Sequence, residues 1–174
     1  PIGVVGALKY NGGQSLVVGL KKFSNIIWCG NGFGHGYITY FEEISVNYSK
    51  NESNEYTFSG DLDGIDNWDY IRCIDPIDKK ELLESYPLFY YASMYGENSG
   101  LKGTEYENGW YVPSIIELFD ICKNKEVIRD SLVCVNGFAL NDDFYWSSTQ
   151  STASWYKAYQ LNFLDCSVYD RDFG

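Results

Sequence analysis

The sequence predicts an α+β chain of short antiparallel strands, two or three helices and much irregular loop. Three observations lead there. Two β-prone runs, residues 4–9 and 15–20, flank Asn11-Gly12-Gly13, whose residues tolerate the positive φ of a tight hairpin turn. Ser114-Ile115-Ile116-Glu117 is a capping box, and behind it Ile115, Leu118, Phe119 and Cys122 recur at one helical face. Tyr159, Leu161 and Phe163 alternate with Gln160 and Asn162, the period of a half-buried strand.

The remaining elements follow in chain order. Ile26-Ile27-Trp28-Cys29 is expected as a short strand that runs into the glycine-rich stretch 30–36. Residues 47–67 are rich in Asn, Ser, Asp and Gly and are expected as a long surface loop. Residues 76–85 form a candidate short helix. A second, 87–95, starts on Pro87, suited to a first turn, and stops at Gly96. After the capping-box helix, another begins at Lys125, turns Ile128, Leu132 and Val135 inward, and ends at Asn136-Gly137. Phe144-Tyr145-Trp146 and residues 159–163 are expected as strands in a tail otherwise made of Ser, Thr, Tyr, Asp and Trp.

Composition narrows the function classes. The 174 residues carry 13 Lys+Arg against 24 Asp+Glu, a formal net charge of −11, so nucleic acid is excluded as a partner for want of cations. Hydrophobic residues at 45% supply a core, and no apolar run approaches the roughly 20 residues that span a bilayer. Aromatic content reaches 18%, with 16 Tyr, and a Tyr surplus is the chemistry of recognition surfaces. The sequence reads as one domain over 1–174, with a hairpin and polar loop in 1–60 and the core and tail in 61–174. Starting at Pro1, it reads as a processed or trimmed product.

The five cysteines are scattered, without a C-x-x-C pair, which argues against a disulfide framework and a zinc site. Cys122 and Cys134 are expected as small core residues. Asn47-Tyr48-Ser49 and Asn51-Glu52-Ser53 match the glycosylation sequon, a short pattern common by chance. His35, the only histidine, sits among glycines without an orienting carboxylate and reads as a loop residue. The G-x-G-x-G-x-G spacing fits neither the dinucleotide fingerprint nor a P-loop. Asp61, Asp63 and Asp66 could gather a hard cation such as calcium, yet the EF-hand spacing fails and a solvated acidic loop is the simpler reading. Nothing singles out a glycosidase-like carboxylate pair, and no cofactor is called for.

Two stretches resemble a known family. Asn108-Gly109-Trp110-Tyr111-Val112-Pro113-Ser114-Ile115-Ile116-Glu117-Leu118, followed by Phe144-Tyr145-Trp146-Ser147-Ser148-Thr149-Gln150, is similar to G-W-x-[LV]-P-[ST]-x-x-E-L and Y-W-S-S-[ST]-[QE] of the Lcl C-terminal-like family. That family includes variable proteins diversified by retroelements. Residues 66–71 and 86–92 also resemble its treponeme-type members, so the resemblance covers about residues 60–170. It implies a C-type lectin-like fold, related in architecture to formylglycine-generating enzymes but lacking their catalytic cysteines.

Carried over residue by residue, the resemblance makes Trp110, Pro113, Glu117, Trp146 and Ser147 scaffold positions. It places ligand binding after W-S-S, here at Ser154, Trp155, Tyr156, Gln160, Asn162, Leu164, Asp165, Ser167, Tyr169 and Asp170. Trp155, Tyr156 and Tyr169 are expected to share one end of the strand pair. Family members continue into a closing strand with a V-R motif, whereas this sequence stops at Phe173-Gly174, leaving that strand absent or the sequence cut. The implied function is a non-enzymatic module of a bacterial surface or secreted protein that recognises a protein or glycan. Any lipid anchor would lie outside these residues. A structural or adhesive subunit is the alternative, and a formylglycine-generating-type enzyme fits least.

Overall fold

A short β-hairpin, a five-stranded sheet and six helices make up the α+β computed structural model, which describes residues 1–8, 15–30, 40–53, 55–75 and 82–173. The hairpin turn at 11–13, most of the glycine run with His35, and residues 76–81 lie outside them. The hairpin pairs β1 (Gly3–Leu8) with β2 (Ser15–Gly19), antiparallel, with a bulge between Val5 and Ala7. The large sheet is ordered β4-β3-β5-β6-β7. Its strands are β3 (Ser45–Lys50), β4 (Tyr56–Gly60), β5 (Phe144–Ser151), β6 (Lys157–Asn162) and β7 (Ser167–Asp172). All its pairs are antiparallel except β3 with β5, which puts Ser45 beside Gln150.

The helices are α1 (Asn67–Ile74), α2 (Leu82–Ser85), α3 (Pro87–Ser93), α4 (Tyr95–Asn98), α5 (Ile115–Lys123) and α6 (Lys125–Cys134). They outnumber the two or three expected, chiefly through α1 and two single turns. The 87–95 helix breaks at Met94 into α3 and α4, and only residues 82–85 of the 76–85 helix are seen. At α5 both halves of the capping box form: Ser114 Oγ accepts from Glu117 N, and the Glu117 carboxylate accepts from Ser114 N at 3.0 Å. α6 ends where expected, with Asn136 at φ 55° and Gly137 N donating to Leu132 O.

Each face of the sheet covers its own core. On one face Tyr159, Leu161 and Val168 join Ile115, Ile116, Leu118, Cys122, Ile128 and Leu132 of α5 and α6, with the β1–β2 hairpin behind the helices. Gly6 is the close approach there: a Cβ would meet Val18 and the side chains of Ile128 and Ile121. On the other face Ala158 meets Trp28, Phe41, Ile71, Phe89 and Phe173. Trp28 stacks on Phe173 at 4.6 Å, takes Phe89 edge-on, and donates its indole N–H to Ser147 O.

Several expectations are corrected. Residues 47–67 are not one long loop: β3 and β4 form a hairpin whose Tyr48, Tyr56 and Phe58 pack on one another and on Phe119. Cross-strand ring packing outweighs the polar composition between those rings. Residues 26–29 form no strand, since the core wants the Trp28 ring rather than a ladder, and one bond from Trp28 N to Phe173 O fixes it. The last strand of the described residues is β7, which ends at Asp172. Cys122 is buried as expected, but it is bonded to Cys166, 44 residues on. Scattered spacing therefore did not preclude a disulfide, because chain folding sets which sulfurs meet. Cys134 is free and exposed rather than core, because it lies on the solvent side of α6.

Candidate functional site

The sequence W-S-S-T-Q lies on β5 and builds the floor of the site. Residues 147–151 are buried although every side chain is polar, so each needs a partner. Ser147 Oγ donates to Tyr159 O, Ser148 Oγ accepts from Asn67 Nδ2, and Thr149 Oγ1 accepts from Ile115 N. Gln150 Oε1 accepts from Phe41 N, while its Nε2 donates to Trp155 O at 2.8 Å. These side chains are consumed by the framework.

Beside this floor, Glu117 is buried and accepts from Gly64 N, Ser114 N and the Tyr111 hydroxyl, and burial raises its pKa. Burial, with Asp66 and Glu117 nearby, pushes Asp61 up to about 6, against the hydrogen bonds from Asn67 and Asp63 N. Asp63 caps Ile65 N in turn. Asp61 and Asp63 thus fold their own loop, and among the described residues no group of three or more His, Cys, Asp or Glu is placed to hold a metal ion.

The ten expected binding residues do not share one patch. Ser154, Trp155 and Tyr156 occupy the β5–β6 turn, where Trp155 is 48% exposed and meets Tyr156 edge-on at 5.4 Å. The indole does not close the core beside Trp146. At the opposite end, Asn162 Oδ1 accepts from Leu164 N and Asp165 Oδ1 from Ser167 N, so both acceptors build the β6–β7 turn. Leu164 is exposed at its tip. A six-residue strand separates these ends by roughly 20 Å.

Between them, Gln160 pairs with Tyr169, and Asn162 with Ser167, so these four side chains share the outer face with Phe144 and Trp146. Tyr169 therefore lies partway along the edge strand β7, opposite Gln160, and does not share the Trp155 end, contrary to the expectation from sequence. Asp170 alternates to the opposite face, where it pairs with Lys157 at 3.3 Å. Sequence reasoning missed two residues of the outer face. Phe144, 42% exposed, lies edge-to-face with Tyr169, 38% exposed, at 5.5 Å. The Arg171 guanidinium lies 5.6 and 5.4 Å from their ring centroids. A period of two from Tyr169 was the available signal for Arg171.

Phe144, Trp146 and Gln160 also line a mostly apolar cavity of about 790 Å³ that runs beneath segment 21–26 to Tyr91, Tyr95 and Trp110. Its size is that of small-molecule pockets. Of the remaining thiols, Cys29 is buried and pushed up to about 12 by desolvation, helped by Asp75, whereas Cys73 is free on the surface. No family model matches the chain, and no curated protein or solved structure matches it either.

Proposed function

We propose that the chain is a C-type lectin-like, non-enzymatic ligand-binding module of a bacterial surface or secreted protein, and that it recognises a protein or glycan through the outer face of β5, β6 and β7. The observation that carries this reading is the Phe144–Tyr169–Arg171 stack. Rings packed on one another keep a fixed shape, so they offer contact area at small entropic cost. Trp155 and Tyr156 add a second exposed pair at the turn. The resemblance to the Lcl C-terminal-like family is supported by the scaffold positions Glu117 and Ser147 being buried and Trp110, Pro113 and Trp146 half-buried. Export is supported by the Cys122–Cys166 bond, since disulfides persist in oxidising surroundings.

The alternative, a structural subunit, draws on β4 and β7 being the two edges of the sheet, where a further strand could add. Enzymatic thiol chemistry is disfavoured by Cys29 staying protonated at neutral pH and by the bonding of Cys122 and Cys166.

The test is binding to a printed glycan array and a panel of surface proteins, with Phe144→Ala/Tyr169→Ala in parallel. Binding should fall at least tenfold, roughly 1.4 kcal/mol, with the melting temperature almost unmoved. Self-association in sedimentation velocity, with no array or panel ligand, would favour the subunit instead.

A further inference from the structure

We propose that Arg171 is the anchor for a carboxylate: an isolated Asp or Glu side chain of a partner protein, presented beside an apolar residue that covers Phe144 and Tyr169. This rests on the outer face being the ligand surface and adds the chemistry of what binds there.

The chain has three arginines and an excess of acid. Arg72 pairs with Asp69, and Arg129 with Glu126 and Asp142. Arg171 forms no ion pair with any described residue, although Asp170 and Asp172 flank it in sequence. Strand alternation turns both acids to the other face, where Lys157 takes Asp170. The guanidinium instead lies over two rings, at 5.6 and 5.4 Å from their centroids, on a residue that is itself exposed. The planar fork of a guanidinium matches a carboxylate with two parallel N–H···O bonds.

Charge and surroundings narrow the ligand further. A net charge of −11 repels an acidic run at long range, so a single placed carboxylate fits better than a polyanion. An exposed ion pair alone gains little in water. The adjoining rings make the pairing worthwhile only if an apolar group covers them and excludes water. Around the rings, Asn162 Oδ1 is engaged by Leu164 N, Trp146 and Ala158 are apolar, and the Gln160 amide and Ser167 hydroxyl are the short polar groups of the face. The exposed rings decide between ligands: an aromatic residue next to an Asp or Glu covers Phe144 and Tyr169 with apolar surface, which a polyhydroxylated sugar acid does less completely. Arg and Tyr are among the residue types enriched in protein hot spots.

The experiment is an NMR titration of the isotope-labelled protein with acetyl-Glu-Trp-amide, acetyl-Gln-Trp-amide and glucuronic acid, each to about 10 mM, the range of weak fragment binding. The Glu peptide should shift the Arg171 Nε–H and the amides of residues 169–171, and bind about fivefold tighter than the Gln peptide. Arg171→Gln should reduce the Glu peptide to the level of the Gln peptide, and Arg171→Lys should restore little of the difference. Equal binding of both peptides, abolished by Phe144→Ala/Tyr169→Ala, would overturn the carboxylate anchor and leave the surface reading standing. Binding of glucuronic acid alone would overturn the protein-carboxylate assignment in favour of a sugar acid. No shift with any probe would overturn the anchor, and the array and panel then decide the surface reading separately.

Discussion

The two ends of the β5–β6–β7 meander differ in how they are held. At the β6–β7 turn, Asn162 and Asp165 close the backbone, Cys166 takes φ 57° and is bonded to Cys122 of α5. Lys125 of α6 donates to Phe163 O and Leu164 O. At the β5–β6 turn the ties beyond the turn itself are Gln150 Nε2 to Trp155 O, Phe173 N to Tyr156 O and Thr152 N to the Tyr159 hydroxyl. The first end spends its polar groups on its own shape and leaves Leu164 as its exposed apolar side chain. The second leaves two large rings in water. Position in a tail that resembles a binding segment therefore does not assign a role. What decides is whether a side chain's polar atoms are already used.

The strongest way to break this contrast is to remove the cross-link. With its cysteines separated by 44 positions, the chain-entropy relation gives about 4 kcal/mol. Cys122→Ala/Cys166→Ala should lose most of that in urea unfolding, and hydrogen exchange at residues 163–167 should rise toward that of 152–156. A loss under about 1 kcal/mol would mean that Lys125 and the Asx turns hold the turn unaided.

Next in size is Gln150→Ala, which strips the other turn of one of its few ties and leaves Phe41 N–H buried without its acceptor. About 2–3 kcal/mol should be lost. Exchange should rise at the β5–β6 turn and not at the β6–β7 turn.

A smaller effect loads the framework behind β5 and should leave both turns alike. Burial pushes the Asp61 carboxyl up to about 6 in the folded chain from its ordinary 3.8, so its contribution is fully present below 3.8 and is lost as pH rises through about 6. Glu117, also raised, acts in the same direction. Unfolding free energy should fall by roughly 1 kcal/mol from pH 4 to 7, allowing for partial solvent screening. Asp61→Asn should flatten that slope. A profile that rises over this interval would contradict the assignment.

Smallest of all, Trp155→Ala and Tyr156→Ala should each change stability by less than about 0.5 kcal/mol. Several kcal/mol at either position would make the unbraced turn part of the core and erase the contrast.

Legibility in the sequence followed how local the cause was. The Ser114–Glu117 box, the Asn136-Gly137 stop and the alternation at Tyr159, Leu161 and Phe163 are set by neighbours a few residues apart, and all are found. The β3–β4 hairpin escaped because its rings find support on Phe119, some 60 residues on, while its composition is that of a loop. Cys122 and Cys166 meet only once α5 packs under β6. Exposed Trp155 and Tyr169 were legible as types, but their separation depended on strand register, which no spacing rule supplies.

The parallel pairing of β3 with β5 bears on how the chain acquires its structure. Ser45 must find Gln150, closing a loop of about 105 residues, whereas the β6–β7 hairpin closes over a few. Closure entropy grows by about 0.6 kcal/mol per doubling of loop length, so the long closure waits for short ones to form first. The β3–β4 hairpin can form early in synthesis, yet it has no sheet to join until residues beyond 144 emerge. Such topology folds slowly for its size. The interval before β5 arrives is when the ring-bearing β3–β4 hairpin stands unpartnered and aggregation competes with folding.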